Sequence, residues 1–202
     1  MNTARLSALA LCASLVLPAA AWAVATVGQP APDFTAADTT GKRHSLADYK
    51  GKYVVLEWVN PGCPFVRKHY SSNNMQATQR EAVDSGAVWL AVNSTSPRSG
   101  DYLPPSDMGK WMQGQQAAAS ATLMDADGKV GMAYGAKTTP HLYIINPQGT
   151  LIYAGAIDSK PSGRVEDIAS ATNYVKAGLK EAQADKPLSH ANTRAYGCSV
   201  KY

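Results

Sequence analysis

The stretch Tyr53-Val-Val-Leu-Glu-Trp-Val-Asn-Pro-Gly-Cys63-Pro-Phe-Val-Arg-Lys-His69 holds an apolar, β-rich run, a Pro-Gly break and then a helix-compatible segment. The pattern predicts that Cys63 lies where a buried strand leads into the N-terminus of a helix. Unpaired N–H groups and the positive end of the helix dipole stabilise a thiolate at such a place, and Arg67 adds positive charge one turn further on. We therefore predict that Cys63 is a reactive thiol rather than a buried structural cysteine.

The segment Tyr53 to Val59 is apolar on both faces, which is typical of a central strand in a sheet that is covered on both sides. Glu57 interrupts this run. A carboxylate here has two interpretations: a residue facing outward near a strand end, or a buried acid whose pKa is raised because burial disfavours the charged form. The strand pattern alone leaves both open.

The same stretch resembles the active-site segment of the thioredoxin superfamily and, within it, the peroxiredoxin-like redoxins (the alkyl hydroperoxide reductase and thiol-specific antioxidant family). Thioredoxins carry Cys-x-x-Cys at this turn, with a buried acid six residues before the first cysteine. Cys63-Pro-Phe-Val66 keeps the first cysteine and lacks the second, and Glu57 stands at the position of the acid. The resemblance implies that Cys63 is the nucleophile and that Glu57 transfers protons with the active-site sulfurs, through water.

True peroxiredoxins differ at this turn, because they carry Pro-x-x-x-Thr/Ser-x-x-Cys. In this chain that pattern would require proline at Val59, threonine at Cys63 and cysteine at Val66, and none of the three is present. The expected chemistry is therefore thiol-disulfide exchange, with a thiol-dependent peroxidase as the alternative.

Two further segments carry the resemblance. Residues 28–34, Gly-Gln-Pro-Ala-Pro-Asp-Phe, and the turn that follows are similar to the opening of the redoxins and predict an N-terminal β-hairpin. Thr139-Pro140 precedes an apolar strand and resembles the cis-proline site of thioredoxin folds. The resemblance implies that Thr139 and Pro140 form a docking edge for the substrate, and that Pro64 and Arg67, beside Cys63, also contribute to substrate binding.

The predicted elements follow the order β-hairpin, β, α, β, α, β-hairpin, α. This order indicates an α/β, thioredoxin-like fold with a mixed central β-sheet flanked by helices. The redoxin-like domain spans residues 27–184. Three longer helices are expected, over residues 63 to about 84, from 106 or 107 to about 119, and over 164–183.

Residues 1–23 are typical of an export signal, with a basic start at Arg5, an apolar run from Leu6 to Leu17 and a small-x-small site ending at Ala23. Cleavage after Ala23 predicts an exported, periplasmic protein. The apolar run is too short for a stable membrane anchor. The chain carries 19 Lys+Arg against 15 Asp+Glu without a basic cluster, so nucleic-acid binding is not expected.

Of the three cysteines, Cys12 lies in the export signal, where Leu11 disfavours lipid attachment, and Cys63 and Cys198 remain in the mature chain. Residues 185–202, called the tail below, show no strong periodicity and predict a flexible, frayed terminus. A second cysteine on such an arm suits a resolving thiol. A structural disulfide or an unpaired exposed thiol remains open, since spacing does not reveal which cysteines approach each other.

The leading hypothesis is an exported thiol-disulfide oxidoreductase that uses Cys63 as nucleophile, with Glu57 and Cys198 as further catalytic residues. It requires no cofactor. Its partners would be a protein or small-molecule disulfide or peroxide and an external thiol reductant. A third class, a binding or copper-handling module, is disfavoured because copper carriers of this fold use Cys-x-x-x-Cys, and position 67 is Arg here.

Overall fold

Nine strands form two sheets in the computed structural model, which describes residues 24–202. In chain order the strands are β1 (Thr35–Asp38), β2 (Arg43–Ser45), β3 (Val54–Trp58), β4 (Val88–Asn93), β5 (Ala121–Met124), β6 (Thr138–Thr139), β7 (His141–Ile145), β8 (Leu151–Gly155) and β9 (Cys198–Ser199). Seven of them form one mixed sheet in the order β2-β1-β5-β4-β3-β7-β8, and β6 pairs with β9. The predicted export signal lies outside the described residues.

Five α-helices accompany the sheet: α1 (Pro64–Ser71), α2 (Asn74–Asp84), α3 (Pro105–Gly114), α4 (Lys129–Tyr134) and α5 (Tyr174–Gln183). Short 3-10 helices span Leu46–Tyr49 and Val165–Ser170. Residues of α1, α2, α3 and α5 pack in one hydrophobic core, and residues of α4 pack in a second. The fold is therefore α/β and thioredoxin-like, as the sequence predicts.

Strand β3 lies inside the sheet, parallel to β4 on one side and antiparallel to β7 on the other. All of its residues are buried, and they alternate between the two cores: Val55 packs in one, and Val54 and Leu56 pack in the other. Because β3 ends at Trp58, the Pro-Gly break and Cys63 follow directly at its carboxyl end. The fold thus brings Cys63 to the edge where α/β sheets place their sites.

Several predicted elements are confirmed. β1 and β2 form the N-terminal hairpin, and β7 and β8 form the terminal hairpin. Outside these hairpins, α4 ends at Tyr134, and its C-cap Gly135 adopts the left-handed conformation that glycine tolerates at a helix end.

Three helix boundaries differ from the prediction. The single helix expected from residue 63 to 84 is broken into α1 and α2, because Asn73 adopts a left-handed conformation with φ 60°. α3 ends at Gly114 rather than near residue 119. The last helix is a 3-10 turn followed by α5, which begins after Asn173, whose side chain accepts hydrogen bonds from the first-turn N–H groups of α5.

The prediction of a frayed tail is wrong. The tail runs back along the domain, with reciprocal backbone hydrogen bonds between Ala154 of β8 and residues 191 and 193. Farther on, β9 pairs antiparallel with β6, and the Tyr202 hydroxyl donates to the Ala136 carbonyl at 2.7 Å. Sequence periodicity misses this arrangement because the tail is held by pairing with distant strands rather than by a repeating apolar face.

Candidate active site

Cys63 is the N-cap residue of α1, and Pro64 occupies the first helical turn. The turn before it is closed by hydrogen bonds from the Gly62 N–H to Asn60 Oδ1 at 2.7 Å and from the Cys63 N–H to the Asn60 carbonyl at 3.0 Å. Proline suits the first turn because its missing N–H has no partner there in any helix. The predicted position of Cys63, at the junction of β3 and a helix N-terminus, is confirmed.

The second cysteine lies beside the first. In the β6–β9 pair, Cys198 is the register partner of Thr139, and the Cys63 thiol donates to the Thr139 carbonyl at 2.9 Å. The Thr139–Pro140 peptide bond is cis, as the resemblance implies, and both thiols are free. Two cysteines far apart in the chain thus meet at one backbone position.

The two thiols have opposite acidity. Burial by itself raises the pKa of Cys63, but hydrogen bonding with the Cys198 thiol, with Thr139 and with the backbone of Val66 and Cys198 favours the thiolate, so the net pKa lies below its usual value. Burial and the hydrogen bond to Cys63 raise the pKa of Cys198 to about 12. The pair is therefore polarised, with Cys63 as the more acidic thiol and Cys198 as the less acidic one.

Thr139 contributes to this polarity. Within the described residues its buried Oγ1 has no hydrogen-bond partner of good geometry while Cys63 is a thiol. The hydroxyl is therefore available to donate to the Cys63 sulfur when that sulfur is ionised.

The docking edge predicted at Thr139 and Pro140 is occupied by the tail. β9 makes the backbone pairing with Thr138 and Thr139 that a bound substrate strand was expected to make. Gly197, just before β9, has φ 134°, and a Cβ there would lie 2.0 Å from the Thr139 carbonyl oxygen. This close approach requires glycine at position 197.

Arg67 lies one turn into α1, as predicted, but its Nε donates to the Pro61 carbonyl at 2.8 Å. Its described hydrogen bond therefore supports the turn before Cys63. The lower pKa of Cys63 comes from the hydrogen bonds named above rather than from this guanidinium. Pro64 and Arg67 are both exposed beside the site, and their part in substrate binding stays a prediction.

Glu57 is fully buried, so the second interpretation of this residue is correct. Its Oε1 accepts from the Tyr70 hydroxyl at 2.9 Å, and its Oε2 accepts from Gln79 Nε2 at 2.9 Å and Trp89 Nε1 at 2.8 Å. Burial outweighs these hydrogen bonds and raises the pKa of Glu57 to about 7. The carboxyl group can thus gain or lose a proton near neutral pH.

The hydrogen bonds described for Glu57 do not include either cysteine. Proton exchange between Glu57 and the thiols would therefore have to pass through an intervening group such as water. The role that the resemblance implies for Glu57, proton transfer with the sulfurs, stays a prediction.

Sequence reasoning missed a cluster of side chains that contacts the tail, called the tail anchor below. Its members are Phe65, Lys68, His69, Asp158 and Tyr196. The Tyr196 hydroxyl donates to Asp158 Oδ1 at 2.5 Å and accepts from His69 Nε2 at 3.2 Å, and its ring packs edge-on against Phe65. Asn74 donates to His69 Nδ1 at 2.8 Å, which places the imidazole proton on Nε2. A Phe-x-x-Lys-His run after Cys63 and a tyrosine two residues before Cys198 were the available signals.

The buried charges of the tail anchor lie close together. Lys68 Nζ and His69 Nε2 are each 3.9 Å from Asp158 Oδ2, and Lys68 Nζ also donates to the carbonyl of Ser162 at 3.0 Å. Burial is the main cause that lowers the pKa of His69, to about 4, so the imidazole is neutral at physiological pH. Lys68 is therefore the positive partner of Asp158.

The fold and the site together define a thioredoxin-like protein with a cysteine pair at the N-terminus of its first helix. The profile of the AhpC/TSA family matches residues 27–154, more than half of the chain. The chain belongs to the AhpC/TSA family.

The chain is also similar to two named proteins of Bacillus subtilis. The chain is 28% identical over 132 residues to the thiol-disulfide oxidoreductase ResA of Bacillus subtilis, covering 62% of this chain and 64% of that protein. It is 30% identical over 138 residues to the thioredoxin-like protein YneN of Bacillus subtilis, covering 66% and 74%. The chain thus spans somewhat less than two thirds of the length of that ResA protein.

Solved structures agree on the fold. An uncharacterised conserved protein from Geobacillus kaustophilus matches with a TM-score of 0.74 at 24% identity, over 88% of this chain and 92% of the other. The thioredoxin domain of a thiol-disulfide oxidoreductase from Bacteroides vulgatus matches with a TM-score of 0.52 at 23% identity, over 72% and 96%. Among residues 24–202, no helix combines the length and apolar character needed to cross a membrane.

Proposed function

We propose that the protein is a thiol-disulfide oxidoreductase in which Cys63 and Cys198 form the redox-active pair. The observation that carries the proposal is the contact of a low-pKa Cys63 thiol at the N-terminus of α1 with the Cys198 thiol on β9. Its relatives named thiol-disulfide oxidoreductase support the same reaction class.

The reaction is a pair of thiol-disulfide exchanges. The Cys63 thiolate attacks one sulfur of a substrate disulfide, so that a mixed disulfide forms and the other substrate sulfur leaves as a thiolate. Cys198 loses its proton and attacks Cys63 Sγ, which releases the second substrate thiolate. The substrate gains two electrons, the cysteine pair loses them, and two thiols of an external reductant restore the dithiol.

The remaining predicted site residues support these steps. Glu57, with a pKa of about 7, would accept the proton that Cys198 loses, through water. Thr139 and Pro140 would present the substrate backbone to Cys63 once β9 has left β6, with Pro64 and Arg67 at the rim. A protein substrate requires this displacement, because Cys63 is only 1% exposed while the tail is docked.

The same burial favours a thiol-dependent peroxidase as the second candidate. A hydroperoxide is small enough to reach a covered sulfur, where the Cys63 thiolate would take one peroxide oxygen, become a sulfenic acid and release an alcohol or water. The Cys198 thiol would then condense with the sulfenic acid, with loss of water, to give the same disulfide.

The variant Cys198→Ser tests the proposed pair. With Cys198 as resolving thiol, this variant should accumulate a mixed disulfide on Cys63 after reaction with a disulfide substrate, which intact mass would detect. Cys63→Ser is the control and should react with the same substrate only slowly. If Cys198→Ser turns over the substrate disulfide as fast as the wild type and no adduct is trapped, the pair is not the catalytic unit.

One comparison separates the two candidate reactions. Insulin disulfide reduction and hydroperoxide consumption are measured on the same wild-type preparation with the same thiol reductant. Exchange activity without peroxide consumption supports the oxidoreductase, and the reverse result supports the peroxidase.

We further propose that the protein is exported and acts in the periplasm, after cleavage near Ala23. The supporting observation is the pattern of residues 1–23, with its basic start, apolar run and small-x-small site. N-terminal sequencing of the protein from the periplasmic fraction would test the site of cleavage.

A further inference from the structure

The two sulfurs differ in how solvent can reach them. Cys63 is 1% exposed and contacts the β6–β9 pair through the Thr139 carbonyl, whereas Cys198, on β9, is partly exposed. In a thioredoxin-type pair the low-pKa cysteine is expected to meet external reactants. In this chain the low-pKa sulfur is the covered one.

Disulfide exchange is an in-line displacement, in which the attacking sulfur approaches one disulfide sulfur from the side opposite its partner. The two thiols already contact each other while β9 is docked, so their disulfide can form with the tail in place. Because Cys198 is the more exposed of the two residues, a reductant that approaches from solvent would reach Cys198 Sγ first, with Cys63 Sγ as the leaving group. The leaving group is also the better one, because its pKa is the lower of the two.

We propose that, in the oxidised protein, the external thiol reductant attacks Cys198 rather than Cys63. This inference rests on the proposed Cys63–Cys198 disulfide and assigns to Cys198 the role of the entry point for electrons. Cys198 is then a catalytic residue in reduction as well as the resolving thiol in oxidation.

Reduction takes two successive thiol-disulfide exchanges. A reductant thiolate bonds to Cys198 Sγ, the Cys63–Cys198 bond breaks, and Cys63 leaves as a thiolate that its hydrogen bonds stabilise. A second reductant thiolate attacks the reductant sulfur of the mixed disulfide, the Cys198 thiolate leaves and takes a proton, and the reductant departs as a disulfide. The cysteine pair gains two electrons, and the two reductant thiols lose them.

The tail anchor maintains this selectivity. Tyr196 lies two residues before Cys198, and its hydroxyl is held between Asp158 and His69 while its ring packs on Phe65. These contacts keep β9 over Cys63 and the Cys198 sulfur on the outside. Tyr196 is therefore a positioning residue, and loosening it should expose Cys63 to attack.

The test uses the full mature chain, oxidised and then exposed briefly to excess glutathione as the probe. Free thiols are quenched with N-ethylmaleimide, and trypsin places the two cysteines in separate peptides, residues 53–67 and 195–201. The expected result is glutathione on Cys198 and N-ethylmaleimide on Cys63, in excess over the opposite pattern by roughly tenfold or more.

The exposure to glutathione is kept short, because in either mixed disulfide the free cysteine of the pair can attack its neighbour and re-form the Cys63–Cys198 bond. A predominant adduct on Cys63 overturns the inference and leaves the proposed disulfide intact. If intact mass of the oxidised protein, taken before glutathione is added, does not show the loss of two hydrogen atoms that disulfide formation causes, the proposed function and the inference both fail.

Tyr196→Ala tests the positioning role, with Tyr196→Phe as the milder variant that keeps the ring. The Cys198 preference should fall toward parity in Tyr196→Ala and fall less in Tyr196→Phe. Tyr174→Phe is the matched control, because its hydroxyl makes no hydrogen bond among the described residues, and it should keep the wild-type pattern. An unchanged preference in a folded Tyr196→Ala protein would remove Tyr196 from the mechanism.

Discussion

At Cys63, burial and hydrogen bonding act on the thiol in opposite directions. Burial disfavours the thiolate, whereas donors from Cys198 and Thr139 and the N–H of Val66 stabilise it, and the donors outweigh burial. A residue with the same burial and no such donors would have a raised pKa and would be inert. The low pKa of Cys63 therefore depends on its neighbours in space.

The variant Cys198→Ala should raise the pKa of Cys63, because it removes a donor to the thiolate. The expected increase is about one pH unit or more, as for the loss of one hydrogen bond to a charged group. The midpoint of iodoacetamide alkylation against pH measures it, and Ser199→Ala, an exposed neighbour, is the control. A Cys63 midpoint that stays unchanged in Cys198→Ala would contradict the assigned hydrogen bond.

Glu57 predicts a pH dependence of stability. Its pKa is about 7 in the folded protein and about 4.3 when unfolded, so between these values the folded state binds the extra proton. The free energy of unfolding should therefore fall as pH rises from about 4.3 to 7, by roughly 3 kcal/mol from this residue. Glu57→Gln cannot ionise and should lack this decline.

Urea unfolding of the wild type and Glu57→Gln from pH 4 to pH 8 measures the difference between the two proteins. Glu166→Gln is the control, because Glu166 is exposed, and its curve should parallel that of the wild type. Parallel curves for Glu57→Gln and the wild type would show that Glu57 does not carry a raised pKa.

At the level of elements, β9 acts as a cover over the site. It holds only two residues, yet it pairs with β6 at the backbone position that accepts the Cys63 thiol. So short a strand is marginal alone, and the tail anchor and the contacts of residues 191–193 with β8 supply the rest. The accessibility of Cys63 to reactants thus depends on how stably β9 pairs with β6.

Gly197→Ala should loosen β9. A Cβ at this position would meet the Thr139 carbonyl, and φ 134° is unfavourable for alanine. Strain of this kind costs about 1–3 kcal/mol, so the rate of Cys63 alkylation should rise by about tenfold or more. Gly163→Ala is the control, because a Cβ there meets nothing within 4 Å. Equal alkylation rates in both variants would argue that β9 does not cover Cys63.

At the level of the whole molecule, a Cys63–Cys198 bond would join the start of α1 to the end of the chain. Closing a loop of about 135 residues restricts the unfolded chain and would stabilise the folded state by up to about 5 kcal/mol in the chain-entropy model. Because the thiols already meet, little folded-state distortion should offset this gain.

The oxidised protein should therefore unfold at a higher denaturant concentration than the reduced protein. Guanidinium unfolding with and without reductant measures the difference, and Cys198→Ser should show no dependence on reductant. A wild type that unfolds equally in both states would mean that the pair does not close.

The sequence by itself determined the local features of this protein. The apolar run ending at a Pro-Gly break indicated the strand, the helix start and the place of Cys63 between them, because such signals act over a few residues. The same logic placed Thr139-Pro140 at the start of a strand and both hairpins. The local pattern also gave one wrong prediction: Asn73 adopts a left-handed conformation and divides a helix that was predicted to be continuous.

Only the tertiary structure decided how the site works. It placed Cys198 on β9 against Thr139, surrounded Glu57 with three donors and built the tail anchor from residues far apart in the chain. These contacts arise from chain packing, in which register and burial depend on the whole sheet, so no short sequence pattern encodes them. The polarity of the two thiols follows from that packing, because a thiol pKa depends on which groups surround the sulfur in space.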